Sequence, residues 1–317
     1  MYLGAHLGIA DGLANAVAEA RRLSLESLQI FSKSPQMWAG PPLPAEAARA
    51  FRTAVSSDAL RATAVHHGYL LNLGSPKPHM LKRSKAAFLD EIGRADLLGV
   101  DALIFHPGAH LGAGAPDGLR TIAESLREAL DATATARPRL LLENSAAQGT
   151  TLCSTFEQLD EVLGAVDAKE RVGVCLDTCH LFAAGYDFRS EEGYGRLVDA
   201  IRSTIGQERV QAFHLNDAKA PLGSHLDRHE NIGRGEIGVD IFRFLVNDRR
   251  WAKVPGFLET PLDDRDYARY AEDIATLRSL LGTGGRRART SRAVPSPTPR
   301  AATPPAPAQP PARRRAR

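Results

Sequence analysis

The stretch Val172–Asp187, VGVCLDTCHLFAAGYD, decides how the chain is expected to fold. Its first half is a continuous apolar, β-branched run, which is typical of a strand buried on both faces of a parallel sheet. The run ends in two good metal ligands, Asp177 and His180, and a turn after the strand would let their side chains diverge towards two neighbouring ions. An isolated Asp-x-x-His is more often a helix cap beside a hydrogen-bonded histidine. The metal interpretation therefore depends on whether other strands end in the same way.

Short apolar runs alternate with stretches of helical period along the whole chain. The predicted strands are Tyr2–His6, Leu28–Phe31, Ala64–His67, Ala102–His106, Leu140–Glu143, Val172–Asp177, Val210–Leu215 and Phe257–Glu259. The predicted helices are Leu13–Arg22, Ala45–Ser57, Lys85–Leu98, Leu119–Thr133, Phe156–Leu163, Tyr194–Ile205, Ile241–Asn247 and Tyr267–Leu281. Eight βα units predict an α/β fold, the (β/α)₈ TIM barrel, whose usual size is about 250 residues. No Walker loop favours a nucleotide-binding sheet instead.

Composition excludes several classes of protein. The 317 residues are 43% hydrophobic and 24% charged, which is ordinary for a soluble globular enzyme. No apolar run reaches the length of a membrane span and the N-terminus has no secretion-signal pattern, so we expect a cytoplasmic protein with no membrane partner. The three cysteines, Cys153, Cys175 and Cys179, cannot all pair, and the last two are expected to pack as buried thiols rather than to bind zinc.

The C-terminal segment differs from the rest of the chain. Residues 283–317 contain nine of the arginines, eight prolines and no Lys, Asp or Glu, which predicts a disordered basic tail after a barrel domain of residues 1–282. Removing those nine from the 40 Lys and Arg residues leaves 31 against 37 Asp and Glu, a net charge of −6 for the barrel. The basic pI of 8.8 is therefore due to the tail.

Polar side chains follow most of the predicted strands. In a TIM barrel the active site lies at the C-terminal ends of the strands, so these side chains are expected to meet at one mouth. They are His66, His106, Glu143, Asp177, His180, His214 and Glu259, joined by Asp227 and His229 from the loop after strand seven. Any one of these histidines alone is more often a hydrogen-bonded core or rim residue, but nine ligand types at matching positions predict a metal centre.

Nine ligands exceed the needs of a single ion. A catalytic zinc takes about three protein ligands, so the set predicts a cluster of two or three ions. Imidazole-rich ligands favour zinc over magnesium, with manganese or iron as alternatives. Ions about 3.5–4 Å apart clamp the attacking and leaving oxygens of an in-line phosphoryl displacement. Phosphodiester hydrolysis is therefore the predicted reaction.

Motifs spread from Tyr2 to about Leu281 resemble those of the endonuclease IV family of apurinic/apyrimidinic (AP) endonucleases. They are GAHLGIADGL, QIFSKSPQMW, HHGYLLNLGSP, FHPGAHLG, ENSAAQGTT, VCLDTCHLFAAGYD, HLNDAK, DRHENIGRGEIG and FLET. DTCHLFAAGYD and DRHENIGRGEIG are specific to the family, whereas HPG or FLET alone is a weak signal. The resemblance implies a zinc-dependent deoxyribonuclease of base excision repair. Such an enzyme cuts double-stranded DNA 5′ to an abasic site, leaving a 3′-hydroxyl and a 5′-deoxyribose phosphate.

The same resemblance implies three zinc ions per chain. One would be bound by His66, His106 and Glu143, a second by Glu143, Asp177, His214 and Glu259, and a third by His180, Asp227 and His229. The ions would activate the attacking water and stabilise the leaving 3′-oxygen. Glu143, shared by two ions, and Glu259, which positions the water, are the expected catalytic carboxylates. We expect a monomer that is associated with the nucleoid only through DNA.

Loops at the same mouth are expected to contact DNA. Their polar residues include Lys33, Asn72, Lys219, Arg228 and Arg234, where basic side chains would neutralise phosphates. Surface solvation explains each of them singly, but their shared face favours DNA. Five histidines stay outside the ligand set. They are His6, expected to line the site, His67, expected to point to the other face of its strand, and His79, His110 and His225 in loops.

One position departs from the family pattern. Gln36 in SPQMW replaces an arginine that, with the tyrosine matching Tyr69, the resemblance places inside the helix when an abasic nucleotide is flipped out. Glutamine has no charge and no planar cation to stack, so we expect reduced affinity for damaged duplex. Met37 is an alternative wedge, and Trp38 either stacks on DNA or packs against the barrel rim.

Two other functions are compatible with such a chain. A metal-dependent sugar isomerase or epimerase on a similar barrel needs one or two metals and a lysine or histidine that moves protons. The second ligand pair in DRHENIGRG, which supplies a third ion, is evidence against it. A non-catalytic DNA-binding protein would not need the nine ligands.

Overall fold

The computed structural model describes residues 1–263 and 266–282. Its strands are β1 (Tyr2–Leu7), β2 (Ser27–Ile30), β3 (Ala62–His66), β4 (Ala102–Phe105), β5 (Arg139–Glu143), β6 (Val172–Asp177), β7 (Val210–His214), β8 (Asp217–Ala218), β9 (His229–Glu230) and β10 (Pro255–Leu258). Eight of them form a closed parallel barrel in the order β1, β10, β7, β6, β5, β4, β3, β2, while β8 and β9 form a separate antiparallel ribbon. All eight predicted strands are present, so the predicted TIM barrel is confirmed.

Helices cover the outside of the barrel between the strands. They are α1 (Leu13–Arg22), α2 (Ala45–Ser56), α3 (Pro78–Leu98), α4 (Ala115–Ala132), α5 (Phe156–Val166), α6 (Thr178–Ala184), α7 (Glu191–Thr204), α8 (Val239–Asn247) and α9 (Ala268–Ser279). Each predicted helix is present, and α3 starts a full turn and more before the predicted Lys85, with Pro78 at its first turn. The additional helix is α6, where a turn was expected. Its first six residues are all buried, so it shows no amphipathic period.

The barrel interior contains a small apolar layer. Its members are Ala64, Ile104, Leu141, Cys175, Ala212 and Phe257, one from each of six strands. Side chains alternate between the two faces of a strand, so the residue two positions further along also points into the barrel. Those residues are His66, His106, Glu143, Asp177, His214 and Glu259. The strand period thus places six of the predicted ligands on top of the interior layer, at the C-terminal mouth.

The larger core lies between the strands and the surrounding helices. Its largest fully buried side chains include Trp251, Phe51, Phe88 and Phe242, each of which contributes about 1.5–3 kcal/mol through burial. The three cysteines are buried free thiols, as was predicted for Cys175 and Cys179. This packing gives the mouth a rigid base and leaves the βα loops to carry variable side chains.

Two predictions concern the remainder of the chain. Residues 283–317, predicted as a disordered tail, lie outside the described residues, so the tail and the domain boundary at Gly282 stay predictions. None of the helices within the described residues is long and apolar enough to cross a membrane.

Candidate metal centre

Glu143 lies at the centre of the polar cluster. Its side chain is fully buried, and Oε2 lies 3.0 Å from His66 Nε2 and 3.5 Å from His106 Nε2. Oε1 lies 2.8 Å from His214 Nδ1 and 3.3 Å from His180 Nδ1. A buried carboxylate is expensive to desolvate unless cations or hydrogen bonds compensate it. Two of the four imidazoles, those of His66 and His214, hydrogen-bond the carboxylate, and all four are donors that transition-metal ions prefer.

A second part of the cluster is built on the ribbon formed by β8 and β9. His180 Nε2 and His229 Nε2 each lie 3.2 Å from Asp227 Oδ1. Both nitrogens are buried and neither has a hydrogen-bond partner among the described residues. Buried nitrogens without partners are rare, because each costs about 1–3 kcal/mol. Two such nitrogens directed at one carboxylate oxygen fit a shared cation between the three side chains.

Asp177 has the geometry of both alternatives that the sequence offered, a helix cap and a metal ligand. Its Oδ1 caps α6 by accepting a hydrogen bond from the backbone N–H of His180 at 2.9 Å. Its Oδ2 lies 3.7 Å from His214 Nδ1 and 3.6 Å from His229 Nε2. One carboxylate therefore begins the helix and faces the cluster at the same time. The predicted divergence of Asp177 and His180 occurs at a helix start, so the predicted turn after β6 is wrong.

The donor atoms gather in sets whose members lie within 4.8 Å of one another. Three sets are His66, His106 and Glu143; Glu143, Asp177, His214 and Glu259; and His180, Asp227 and His229. Two overlapping sets are His66, His214 and Glu259, and Asp177, Cys179 and His229. Since zinc binds nitrogen and oxygen at about 2.0–2.2 Å, donors on one ion lie within this spacing. The first three sets are the groups that the family resemblance implies for three ions. All nine predicted ligands therefore come together, and their binding of ions stays a prediction.

Hydrogen bonds to the second ring nitrogen orient four of the imidazoles. His66, His180 and His229 each place Nδ1 within 2.8–3.1 Å of a backbone carbonyl, which directs Nε2 towards the cluster. His214 is turned the other way, with Nε2 3.0 Å from Gln29 Oε1 and Nδ1 facing Glu143. This arrangement is typical of metal-bound histidines, because the outer hydrogen bond sets the tautomer and raises the basicity of the ligand nitrogen.

Burial and charge have opposite effects on the ionisable groups of the centre. Burial alone would lower the pKa of His180, but the charges of Asp177 and Asp227 outweigh it and hold this pKa well above its ordinary value. The same balance raises the pKa of His229 to about 9. For Glu143, burial would raise the pKa, yet the neighbouring imidazoles hold it well below its ordinary value. The centre thus pairs ionised carboxylates with imidazoles such as those of His180 and His229, which retain protons until a cation displaces them.

Sequence reasoning missed three buried amides that support the cluster. Gln29 on β2 accepts from His214 and donates to Glu259 Oε1 at 2.6 Å, so it holds both side chains. Asn216 donates to Asp177 Oδ2 at 2.7 Å and accepts from the backbone N–H of Glu259 at 2.9 Å. Asn144 performs the third such role. Its side-chain oxygen accepts a hydrogen bond from the backbone N–H of Asp177, and its backbone carbonyl accepts one from His180 Nδ1. Gln29 occupies an inward strand position, the one signal that would have identified it.

The ribbon that carries His229 is held by another buried carboxylate. Asp217, fully buried at the start of β8, accepts hydrogen bonds from the backbone N–H groups of Ala218, Gly233, Gly235, Ile237 and Gly238. A Cβ at Gly235 would lie 2.4 Å from the carbonyl oxygen of Ala218, so only glycine fits there. The GRGEIG segment therefore wraps around one carboxylate, which explains why this loop is ordered enough to present a ligand.

The remaining histidines lie around or away from the cluster. His6 lines the cavity as predicted, with Nδ1 3.1 Å from Glu259 Oε1. His67 is buried on the opposite face of β3, where its ring packs against Phe88 of α3. His110 accepts hydrogen bonds from two backbone N–H groups of its own loop through Nδ1. The last two, His79 and His225, are exposed.

A cavity of about 350 Å³ opens above the cluster. Its lining comprises His6, Phe31, His66, Tyr69, His106, His180, Asp227, His229, Glu259 and Tyr270. Three of the predicted DNA contacts are exposed at this mouth: Gln36, Tyr69, whose exposed fraction is 67%, and Arg228. Met37 is exposed beside Gln36, whereas Trp38 is half-buried beneath the Arg83 guanidinium, 4.6 Å from the ring centroid. Trp38 is thus packed at the rim, as one of its two alternatives predicted.

The prediction that Lys33 and Asn72 contact DNA is wrong. Lys33 is buried and pairs with Asp90 and Glu91 of α3, so its charge is unavailable to a phosphate. Asn72 uses its side-chain amide to hold the backbone of Ala109 in the next loop. Both residues hold loops in position. Lys219 is exposed, and Arg234 is exposed but pairs with Glu272 at 2.9 Å.

Known proteins with similar sequences and structures fall into two groups. Residues 17–280 match the family described as xylose isomerase-like TIM barrel. The chain is 41% identical over 278 residues to a probable endonuclease 4 of Chloroflexus aurantiacus, covering 88% of this chain and 97% of the relative. Endonuclease IV from Thermus thermophilus is similar in structure, with a TM-score of 0.78, 34% identity and coverage of 89% of this chain and 100% of that chain. D-psicose 3-epimerase from Clostridium cellulolyticum is 16% identical at a TM-score of 0.66, covering 89% and 99%, and this likeness shows the fold alone.

Proposed function

Because this chain belongs to the endonuclease IV family of xylose isomerase-like TIM barrels, we propose that it is an AP endonuclease. It hydrolyses the phosphodiester 5′ to an abasic site in double-stranded DNA and leaves a 3′-hydroxyl and a 5′-deoxyribose phosphate. The observation that carries this proposal is the convergence of three donor sets on one cavity at the barrel mouth. We further propose that the enzyme acts as a monomer in the cytoplasm, on nucleoid DNA.

The donor sets suit three zinc ions. His66, His106 and Glu143 would hold the first, Glu143, Asp177, His214 and Glu259 the second, and His180, Asp227 and His229 the third. The buried Nε2 atoms of His180 and His229 support this assignment, because both face Asp227 Oδ1 at 3.2 Å without a hydrogen bond among the described residues, and a cation between the three side chains would satisfy both. Zinc ions, when bound, supply Lewis acidity and water of lowered pKa at the phosphodiester.

The chain's own residues determine where the reaction takes place. Glu143 is shared by two donor sets and is held by imidazoles on both oxygens, so it sets their relative position. Glu259 lines the cavity, and Gln29 and His6 contact its Oε1, which restricts the carboxylate to one orientation. A carboxylate fixed in this way is suited to orienting the attacking water at the 5′ side of the phosphorus.

Exposed apolar side chains surround the mouth. Large hydrophobic residues are exposed on five of the βα loops: Met37, Tyr69, Leu111, Leu226 and Leu262. Exposed apolar groups in loops around a site are typical of binding surfaces, and proteins that kink DNA insert such groups between base steps. These five exposed side chains therefore favour a DNA duplex that is bent open at the site as the substrate. A free sugar is too small to cover them and would leave them in water.

Cavity size and charge agree with that substrate. A volume of about 350 Å³ is near the lower end of ligand pockets, which fits a sugar phosphate without its base. The barrel itself has a net charge of −6, which would repel DNA. Three divalent ions would cancel that charge and concentrate positive potential at the point where the phosphodiester must bind.

The decisive experiment uses a labelled duplex with one tetrahydrofuran abasic analogue. Zinc-loaded protein should produce one cut, 5′ to the analogue, and a polymerase should extend the upstream product directly because it ends in a 3′-hydroxyl. Chelator treatment should abolish cutting, and added zinc should restore it. The undamaged duplex of the same sequence is the control.

Other outcomes would contradict the proposal. If protein that retains its zinc leaves the abasic duplex intact but epimerises ketohexoses, the sugar epimerase alternative replaces it. If the protein binds the duplex tightly without cutting it, the chain is a binding protein. Cutting that persists unchanged in chelator would remove the metal centre from the mechanism.

A further inference from the structure

Charged residues of α3, which take no part in the proposed cleavage mechanism, hold one of the loops at the barrel mouth. We call residues 33–40, between β2 and α2, the probe loop, because they present exposed Gln36 and Met37. Inside the loop the backbone N–H of Met37 donates to the carbonyl of Ser34 at 3.1 Å, which is a single turn. One turn is too little internal bonding to keep an exposed loop in a fixed position. Its position therefore depends on contacts with the rest of the protein, which include the Arg83 guanidinium over the Trp38 ring and contacts at the two ends of the loop.

Arg94 of α3 binds both ends of the probe loop with one guanidinium. Its Nε and Nη2 donate to Ser32 Oγ and Ser32 O, at 2.8 and 2.7 Å. Its Nη1 donates to the carbonyl of Pro41 at 2.9 Å. The guanidinium is planar, so three hydrogen bonds in its fixed fork hold Ser32 and Pro41 at a set separation. This contact closes the loop between them, and Arg94 is only 7% exposed.

Glu91 completes the support one helical turn earlier on α3. It is buried and accepts hydrogen bonds from Ser32 Oγ and from Lys33 Nζ, which also pairs with Asp90 at 2.8 Å. Burying three charges seldom stabilises a protein more than well-packed apolar residues of similar volume. What such a network does provide is one defined geometry, because every other arrangement leaves a buried charge unpaired. We call Glu91 and Arg94 the clamp.

The probe loop also positions the loop that carries Tyr69. The carbonyl of Pro35 accepts a hydrogen bond from the backbone N–H of Tyr69 at 3.1 Å. The approach is close, since a Cβ at Gly68 would lie 2.5 Å from that carbonyl oxygen. Only glycine permits the contact, so the position of Tyr69 depends on that of Pro35. Displacing the probe loop would therefore displace both groups predicted to enter the duplex.

We propose that Arg94 and Glu91 are positioning residues for duplex recognition, which act by holding Gln36, Met37 and Tyr69 in their binding geometry. The inference rests on the proposed function. The clamp is separate from the donor sets, so its loss should weaken binding without slowing the chemical step. Ordering a mobile side chain on binding costs about 0.5–1.5 kcal/mol, so three freed side chains should weaken affinity by about 10-fold or more.

The test compares Arg94→Met, Arg94→Lys and Glu91→Gln with the parent as full-length, zinc-loaded proteins. Arg209→Met is the matched control, because Arg209 is equally buried at 7% exposure but lies before β7, at the opposite end of the barrel. Single-turnover cleavage of the tetrahydrofuran duplex yields the enzyme concentration for half-maximal rate and the maximal rate. Zinc content and hydrogen exchange of residues 33–40 are measured on the same samples without DNA.

Arg94→Met should raise the half-maximal concentration by about 10-fold or more and change the maximal rate by less than about 2-fold. Exchange in the probe loop should accelerate, with zinc content unchanged. Arg94→Lys should recover part of the affinity, since an ammonium retains the charge but lacks the fork. Arg209→Met should match the parent in all of these measurements.

Three results would overturn the inference. They are an equal loss of affinity in Arg209→Met, a fall in maximal rate at unchanged half-maximal concentration, and unaltered exchange in the probe loop. If Arg94→Met does not fold, Glu91→Gln, which preserves shape, decides between the same outcomes. A parent protein that does not cut the abasic duplex rejects the proposed function, whereas the exchange experiment still tests whether the clamp holds the loop.

Discussion

Glu259→Gln separates the chemical role of one carboxylate from its structural surroundings. The backbone of Glu259 is held independently of its side chain, since its N–H donates to Asn216 Oδ1 at 2.9 Å and its carbonyl lies 3.1 Å from His229 Nδ1. These contacts survive the substitution. The side chain loses one charge beside His214 Nδ1, 3.3 Å away, and its amide replaces an oxygen that accepts from Gln29. The change is therefore confined to one corner of the second donor set.

The expected effect on cleavage is larger than the effect on metal content. Removing one preorganised group that stabilises developing charge typically lowers kcat by about 10²–10³-fold, or about 2.7–4 kcal/mol. The second set keeps Glu143, Asp177 and His214, which matches the roughly three protein ligands of a catalytic zinc. Glutamine keeps a carbonyl oxygen at this position, so the loss of zinc-binding free energy should be small beside a total of about 10–16 kcal/mol.

Single-turnover cleavage of the abasic duplex and elemental analysis of the same sample measure the two effects. Glu230→Gln is the control, because Glu230 is half-buried on β9 next to a ligand and, among the described residues, its side chain accepts a hydrogen bond from the backbone N–H of Asn231 alone. It should cut at the parental rate. Cleavage by Glu259→Gln at the parental rate would refute the catalytic assignment. Loss of all zinc would refute the argument that three remaining donors suffice.

Three further predictions concern metals, recognition and the tail. Purified protein should hold about three zinc-class ions per chain by elemental analysis, and one tightly bound ion would leave the isomerase alternative standing. Since the pKa of His229 is about 9, zinc binding at pH 7 should release at least this proton, and the affinity for zinc should fall about tenfold for each unit of pH below 9. Calorimetry in two buffers would measure the proton release. Gln36→Arg should tighten binding to abasic duplex and Tyr69→Ala should weaken it, with maximal cleavage rates nearly unchanged, and equal affinities would show that these side chains do not contact the lesion. A chain ending at Gly282 should cut short abasic duplexes normally, yet its affinity for long undamaged DNA should depend less steeply on salt. If four arginines of the tail contact phosphates, the slope of log affinity against log salt concentration should be shallower by about 3–4. Identical slopes for the two chains would reject the role of the tail.

The barrel was predictable because its signals are local. Each strand is a short apolar run and most helices have an amphipathic period, so β6 and α1 were predicted with their observed ends. Helix α6 was missed because most of its residues are buried and no period distinguishes it from the strand before it. The ribbon of β8 and β9 was missed for a different reason. Two-residue strands contain too few positions for an alternating pattern to appear.

The site was predictable to the extent that strand ends determine it. Every second residue along a strand points inward, so His66 is directed into the barrel and His67 out of it. Loop residues have no such rule. Lys33 follows a strand and is basic, which is compatible with a phosphate contact, but its partners are carboxylates on a helix more than fifty residues later. Buried pairs of that separation leave no pattern in a single sequence.

Separate networks hold the donor sets and the probe loop in this protein. Buried amides such as Gln29 and Asn216 hold the donor sets from inside the barrel. The clamp of Glu91 and Arg94 holds the probe loop from α3, outside the barrel wall. No hydrogen bond or ion pair among the described residues joins Arg94 to the amide Gln29. The maximal rate and the affinity should therefore respond to different substitutions, and energies for changes in the two networks should add, as expected for sites without shared partners. A double variant, Glu259→Gln with Arg94→Lys, should show the rate loss of the first and the affinity loss of the second. A departure of more than about 0.5 kcal/mol from additivity would reveal coupling through the strand β2 that both networks adjoin.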